Sequence, residues 1–296
     1  MALRAGQLAA TALSEAHSGE IVSVFCSAVN LLLDSDRLIA LLVPNGPIHP
    51  WAIDGVWWSR NIRIEMPVQI DSGILSIDRF KLRTDDIPII DLHLKKKSSG
   101  VAVESIRRLG DVVGVFEFEN VFGSALSNCL EQCRNTGNVT SIASVLGVGT
   151  GLTPSGDDIL VGLLAALDLT SEESHGYRNI LTETSAGTLI SSNEPETESS
   201  SSRLRKNLVS ELPSSLRSHT TILSAQMVEA AINGSYPEPL VTLANVLVDS
   251  NGEEELICAA NAVARLGHES GRAMLSGFFL GLETVVTSRG KQSSHI

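Results

Sequence analysis

Apolar positions in the Ala-rich opening fit a helix over Leu3–His17, after which the chain changes to short apolar runs separated by turn residues. The runs Glu20–Leu33, Arg37–Val43, Ala52–Trp58, Ile62–Ile70, Ile74–Leu82 and Ile87–Leu94 read as strands. Asp34-Ser35-Asp36, Pro44-Asn45-Gly46-Pro47 and Asp71-Ser72-Gly73 punctuate them. Strands so short and so close, with no long helix between them, predict an antiparallel barrel or sandwich that ends near Lys97. Beyond Ser98-Ser99-Gly100 the apolar spacing lengthens to the helical period. It predicts helices at 101–109, 119–134, 139–147, 154–169, 174–190, 203–210, 221–234, 237–249, 252–266 and 270–287. The fold class is therefore α+β: an N-terminal antiparallel β-rich domain over 1–98, which includes the short helix, then a mainly helical domain over 99–288 and a frayed tail at 289–296.

Within the helical half the same opening occurs twice. Ser155-Gly156-Asp157-Asp158-Ile159-Leu160-Val161-Gly162 and Ser270-Gly271-Arg272-Ala273-Met274-Leu275-Ser276-Gly277 both follow the pattern SGxxxLxG and continue as apolar runs. Gly162 and Gly277 each lie two helical turns beyond the paired serine, so they predict a close contact between two buried helices. If those helices run in the same sense, their N-termini converge, and Ser155, Gly156, Asp158, His268 and Ser270 should surround one accessible cavity. Aligned dipoles would repel there unless an anion or a carboxylate lies between them.

The segment Gly147–Asp158, GVGTGLTPSGDD, starts the first of these helices. Thr153 before Pro154 fits an N-cap with proline at the first helical position, and Ser155 with Asp158 fits a capping box half a turn later. Gly147, Gly149 and Gly151 leave backbone N–H groups open to a phosphate or carboxylate. A P-loop is excluded because no Lys follows Gly151 or Gly156, and a dinucleotide fingerprint fails on its G-x-G-x-G spacing. Gly267-His268-Glu269-Ser270-Gly271 resembles a hydrolase elbow only superficially, since an apolar helix precedes it. Asp157 and Asp158 answer equally to stabilisation by the helix dipole and to a role in accepting NH groups from a ligand. His268 fits a cap or core position as well as a ligand contact, and Arg272 stands where the first copy has Asp157.

A chain of 296 residues with 43% hydrophobic content can bury a large core. Its formal charge of −12 argues against a nucleic-acid or anionic-membrane surface, because both need clustered cations. Lys95-Lys96-Lys97 and Arg203-Leu204-Arg205-Lys206 read as solvated faces. Gln7, Thr11, Ser14 and Glu15 interrupt any leader-like run, and the runs Ile159–Leu169 and Met274–Val286 are too short or interrupted to span a bilayer, so the expected location is cytoplasmic. Cys26, Cys129, Cys133 and Cys258 form no CxxC pair and read as reduced, mostly buried thiols. The polar stretch Ser191–Ser202 reads as a loop.

Taken as a whole, GVGTGLTPSGDDILVGLLAAL resembles the signature of a bacterial family once catalogued only as a domain of unknown function. That family has since been linked to the AllH-type subunit of oxamate carbamoyltransferase, from anaerobic allantoin degradation. The resemblance extends to Gly19–Phe25 with Asn30-Leu31, to Val43-Pro44-Asn45-Gly46, to Thr221–Leu240 and to Leu266–Gly271. It implies one component of a multi-subunit enzyme that moves a carbamoyl group between phosphate and oxamate, yielding carbamoyl phosphate from oxalurate in the physiological direction. The Ser-Thr-Arg-Thr-Arg segment of ornithine-type carbamoyltransferases is absent. The insertion at 191–202 and Arg272 stand outside the resemblance.

The leading expectation is a carbamoyltransferase-complex subunit that handles carbamoyl phosphate and oxalurate chemistry, with other subunits and a small anionic substrate as its partners. Backbone N–H groups would position the substrate and Asp158 or His268 would handle a proton. Substrate contacts are expected from Gly149, Gly151, Thr153, Ser155, Gly156, Asp157, Ser270 and Gly271. Two alternatives stand beside it: a noncatalytic anion-binding partner or regulatory subunit, and a phosphotransferase using Asp157 and Asp158 as Mg2+ ligands. Outside that last alternative no metal or cofactor is called for.

Overall fold

In the computed structural model the described residues are 3–56, 58, 61–94, 101–114, 124–171, 199–249, 252–267 and 269–293. The first half is a curled half-barrel, a nine-stranded mixed sheet. Its strands are β1 (Arg4–Gly6), β2 (Ser18–Val24), β3 (Ala28–Leu33), β4 (Leu38–Leu42), β5 (Ala52–Asp54), β6 (Pro67–Asp71), β7 (Ile74–Ile77), β8 (Phe80–Arg83) and β9 (Ile89–Ile90). They lie in the order β8-β7-β6-β2-β3-β4-β5-β1-β9. Neighbours pair antiparallel except β4 with β5 and β1 with β9, which are parallel. Helix α1 (Gln7–Glu15) lays Ala9, Ala12 and Leu13 against Ile21, Val29, Leu31 and Ile53 of the sheet.

Two differences from the sequence pattern have clear causes. The predicted helix over Leu3–His17 begins late because β1 takes its first residues: Ala5 faces Ile53 on one side and Ile89 on the other, and its N–H donates to Pro88 O at 2.9 Å. Sheet pairing overrides helix propensity there. The run Glu20–Leu33 is a hairpin, turning where Phe25 N donates to Ala28 O at 2.7 Å, with residues 25–27 exposed.

The second half contains α2 (Val103–Gly114), α3 (Ser124–Thr136), a 3-10 turn (Val139–Val145), α4 (Ser155–Thr170), α5 (Ser200–Glu211), α6 (Ile222–Ile232), α7 (Glu238–Asp249), α8 (Glu253–Ala264) and α9 (Ser270–Ser293). The predicted helix at 174–190 lies outside the described residues, as do residues 191–198 of the expected loop. The end of that loop is helix: Ser199 caps α5 by accepting from Ser202 N at 3.2 Å, and Ser201 and Ser202 are buried. Every residue from Ser155 to Leu169 is buried, so α4 is the central helix, and its middle turns, Ile159 to Leu167, are apolar on all sides. Among the described residues no strand follows β9, so they form no βαβ unit after Gly149. None of their helices is long and apolar enough to cross a membrane.

Sheet and helices are joined through α6. Gln226 is fully buried and treats β4 as a neighbouring strand would: its side-chain oxygen accepts from Leu38 N at 2.8 Å and its amide donates to Leu38 O at 2.9 Å. Trp51 Nε1 donates to Gln226 O at 3.0 Å, and Ala230 joins the apolar core of the sheet. Arg4 adds an ion pair to Asp54 at 2.6 Å and one to Glu238 at 2.7 Å.

Candidate functional site

The two helices with the repeated opening cross at their glycines. A Cβ built on Gly162 would overlap the Met274 carbonyl oxygen, one on Gly277 would overlap that of Ile159, and one on Gly281 would lie 2.6 Å from the Ala166 side chain. Near the helix starts, Thr153 Oγ1 and Ser270 Oγ share a hydrogen bond of 2.7 Å. Contacts that advance together along both helices mean that α4 and α9 run in the same direction, with their N-termini side by side.

Gly156 and Gly271 serve that packing. Gly156 sits against the carbonyls of Val145 and Val148 and donates its N–H to Val148 O at 2.9 Å. Gly271 sits against Val263 O and donates to Leu266 O at 2.8 Å. Both N–H groups are thus spent inside the protein. The loop before α4 is different. Gly149, Thr150, Gly151 and Leu152 are exposed, and Gly149 (φ +131°) and Gly151 (φ +92°) take left-handed backbone that a side chain would strain. Among the described residues no hydrogen bond uses the N–H of Gly149, Gly151 or Thr153.

The paired aspartates have separate surroundings. Asp157, 1% exposed, accepts from Gly147 N at 2.6 Å with Oδ1 and from the hydroxyls of Thr220 and Ser224 with Oδ2, the latter at 2.6 Å. It ties the loop to the start of α6, where the Thr221 hydroxyl also donates to Leu152 O at 2.5 Å. Asp157→Ala is expected to lower stability by about 2–3 kcal/mol in denaturant unfolding, because it leaves the half-buried Gly147 N–H and Thr220 hydroxyl and the buried Ser224 hydroxyl without their acceptor. A change within error of zero would remove the staple role.

Asp158 is 5% exposed, and its Oδ2 is buried with no hydrogen-bond partner. Burial holds its carboxyl well above the usual carboxylate range. The Ser270 and Thr153 hydroxyls facing it offset this in part, and the charge of Asp157 adds to it. Ser155 is buried at the start of α4, and Arg272 is half-buried on α9. His268 lies outside the described residues. Clefts of about 410 Å3, beside Leu212 and Arg217, and about 610 Å3, between α1 and the Thr84–Ile89 segment, lie away from these groups. Among the described residues no three His, Cys, Asp or Glu side chains gather as metal ligands. Cys129 and Cys133 are buried, whereas Cys26 and Cys258 are exposed, against the expectation of mostly buried thiols.

A buried ion network at the other end of α4 escaped the sequence pattern. Asp168 pairs with Arg205 of α5 and accepts from Tyr236 Oη at 2.5 Å, while Arg205 Nη2 donates to Ile232 O at 2.6 Å. The one sequence signal for it is an aspartate inside the apolar run LLAALDL.

Parallel helices locked at their glycines, with an exposed Gly-rich loop and a buried acid at their common start, form a helical core carried on a half-barrel. Residues 145–282 match the family model described as oxamate carbamoyltransferase subunit AllH, and residues 2–89 match the AllH family N-terminal domain. The chain belongs to the AllH family. No curated protein and no solved structure matches it.

Proposed function

We propose that the chain works as a subunit of an oxamate carbamoyltransferase of the allantoin pathway and binds a small anionic substrate where α4 and α9 begin. The observation that carries this reading is Asp158: a buried carboxyl with an open oxygen, set between the Thr153 and Ser270 hydroxyls beside a loop of unspent N–H groups. With Asp157 occupied by Gly147, Thr220 and Ser224, and Asp158 held toward its neutral form, the repulsion expected between two carboxylates and an anion is reduced. Gly149, Gly151 and Thr153 then face the anionic oxygens, Ser155 and Ser270 line the helix starts, and Asp158 or His268 moves a proton. The engagement of both Asp157 oxygens counts against Mg2+ ligation by that residue. A noncatalytic reading, in which another chain completes the site, draws support from Val148 and Leu152, which leave apolar side chains 37% and 46% exposed on the loop.

Calorimetric titration of the protein with phosphate, carbamoyl phosphate and oxamate, each with and without Mg2+, tests these readings. Carbamoyl phosphate is expected to bind without metal. Strict dependence on Mg2+ would favour phosphotransfer, and no heat with any of the three would favour the noncatalytic partner.

A further inference from the structure

We infer that Asp158 recognises the carbamoyl end of the ligand, its carboxyl pairing edge to edge with a –CO–NH2 group while the loop at Gly149–Thr153 holds the anionic end. This rests on the proposed carbamoyl chemistry and adds to it the residue that distinguishes a carbamoyl group from other acyl groups. The geometry supplies three arguments. Asp158 Oδ2 has no partner although the residue is 95% buried, and an orphaned buried oxygen is a cost that a ligand can relieve. The Thr153 and Ser270 hydroxyls are bonded to each other at 2.7 Å and face the same carboxyl, yet its Oδ2 is left without a partner. Asp157, the neighbouring carboxylate on the same turn, has both oxygens engaged.

A neutral carboxylic acid presents one O–H donor and one C=O acceptor on a single edge. A primary amide presents the complement, a C=O acceptor beside an N–H donor, so the two close a planar pair of hydrogen bonds. An acyl group with a methyl in place of the amide nitrogen makes only one of them. Burial, which favours the neutral form of Asp158, supports this donor-acceptor assignment.

The test compares carbamoyl phosphate, acetyl phosphate and inorganic phosphate as titrants of the full chain. The wild-type protein is expected to bind carbamoyl phosphate about tenfold or more tightly than acetyl phosphate, the range that one unmade hydrogen bond at a buried group commands. Asp158→Asn keeps a donor and an acceptor on the same edge and should retain that preference. Asp158→Leu should bind the two acyl phosphates alike. Equal wild-type affinities for carbamoyl and acetyl phosphate, with phosphate still bound, overturn the inference and leave the anion seat standing. Loss of the preference in a folded Asp158→Asn overturns it as well, by showing that the ionised carboxylate is the form required. Absence of binding by all three titrants overturns both this inference and the carbamoyl reading beneath it. Should Asp158→Leu fail to fold, the wild-type and Asp158→Asn comparison decides alone.

Discussion

Gly162→Leu is expected to cost the fold on the order of 3 kcal/mol or more, the upper end for overpacking a tight helix crossing. Gly277→Leu should match it. In each case the side chain would enter space filled by main-chain atoms of the opposite helix, the Met274 and Ile159 carbonyls, which cannot rotate away as a side-chain end can. Relief would require α4 and α9 to separate, and both are buried along the crossing, so the surrounding core would open with them. Gly162→Ala already places a Cβ in that overlap, so most of the loss should appear with alanine. Urea unfolding at constant m-value is the measurement, and a midpoint equal to that of the unmodified chain would disprove the close crossing.

Arg205→Met should be comparably severe, about 3–5 kcal/mol, because it strands the Asp168 carboxylate in the core. Tyr236 cannot compensate as a partner of opposite charge. Its hydroxyl, pushed well above its usual pKa by burial and by Asp168, remains a neutral donor. Changing both members, Arg205→Met with Asp168→Leu, should recover a large part of the loss, since an apolar pair of similar volume carries no buried charge. A double variant no more stable than Arg205→Met would mean that the ion pair is needed for more than its own neutralisation.

The sequence was most legible where periodicity and punctuation agreed. The boundaries of α4, α7 and α8 fall within a residue or two of the apolar spacing, because Pro154, Pro237 and Gly252 mark where each run starts. The parallel pairings of β4 with β5 and β1 with β9 were not legible, since strand signals record alternation and not the direction of a distant neighbour. At the site, the SGxxxLxG repeat pointed to the crossing at Gly162 and Gly277. It could not separate Asp157 from Asp158, because their different surroundings come from Thr220 and Ser224 on one side and Ser270 on the other, far away in the chain. Gly156 and Gly271 were expected to contact the substrate; any contact would not use their N–H groups, which are consumed by Val148 and Leu266, acceptors that only the folded chain brings to them.

Gln226 bears on inheritance and engineering. The two stretches that match family models are separable on paper, yet the N-terminal one ends with Leu38 lacking the amide that completes its backbone pairing and Trp51 lacking its acceptor. The C-terminal one carries that amide, which is fully buried in the whole protein and would be bare without the sheet. A recombination event or an expression boundary placed in the connection between them therefore yields two incomplete surfaces. The halves are not interchangeable modules, and a chimera would have to carry the sheet's partner helix along with the sheet.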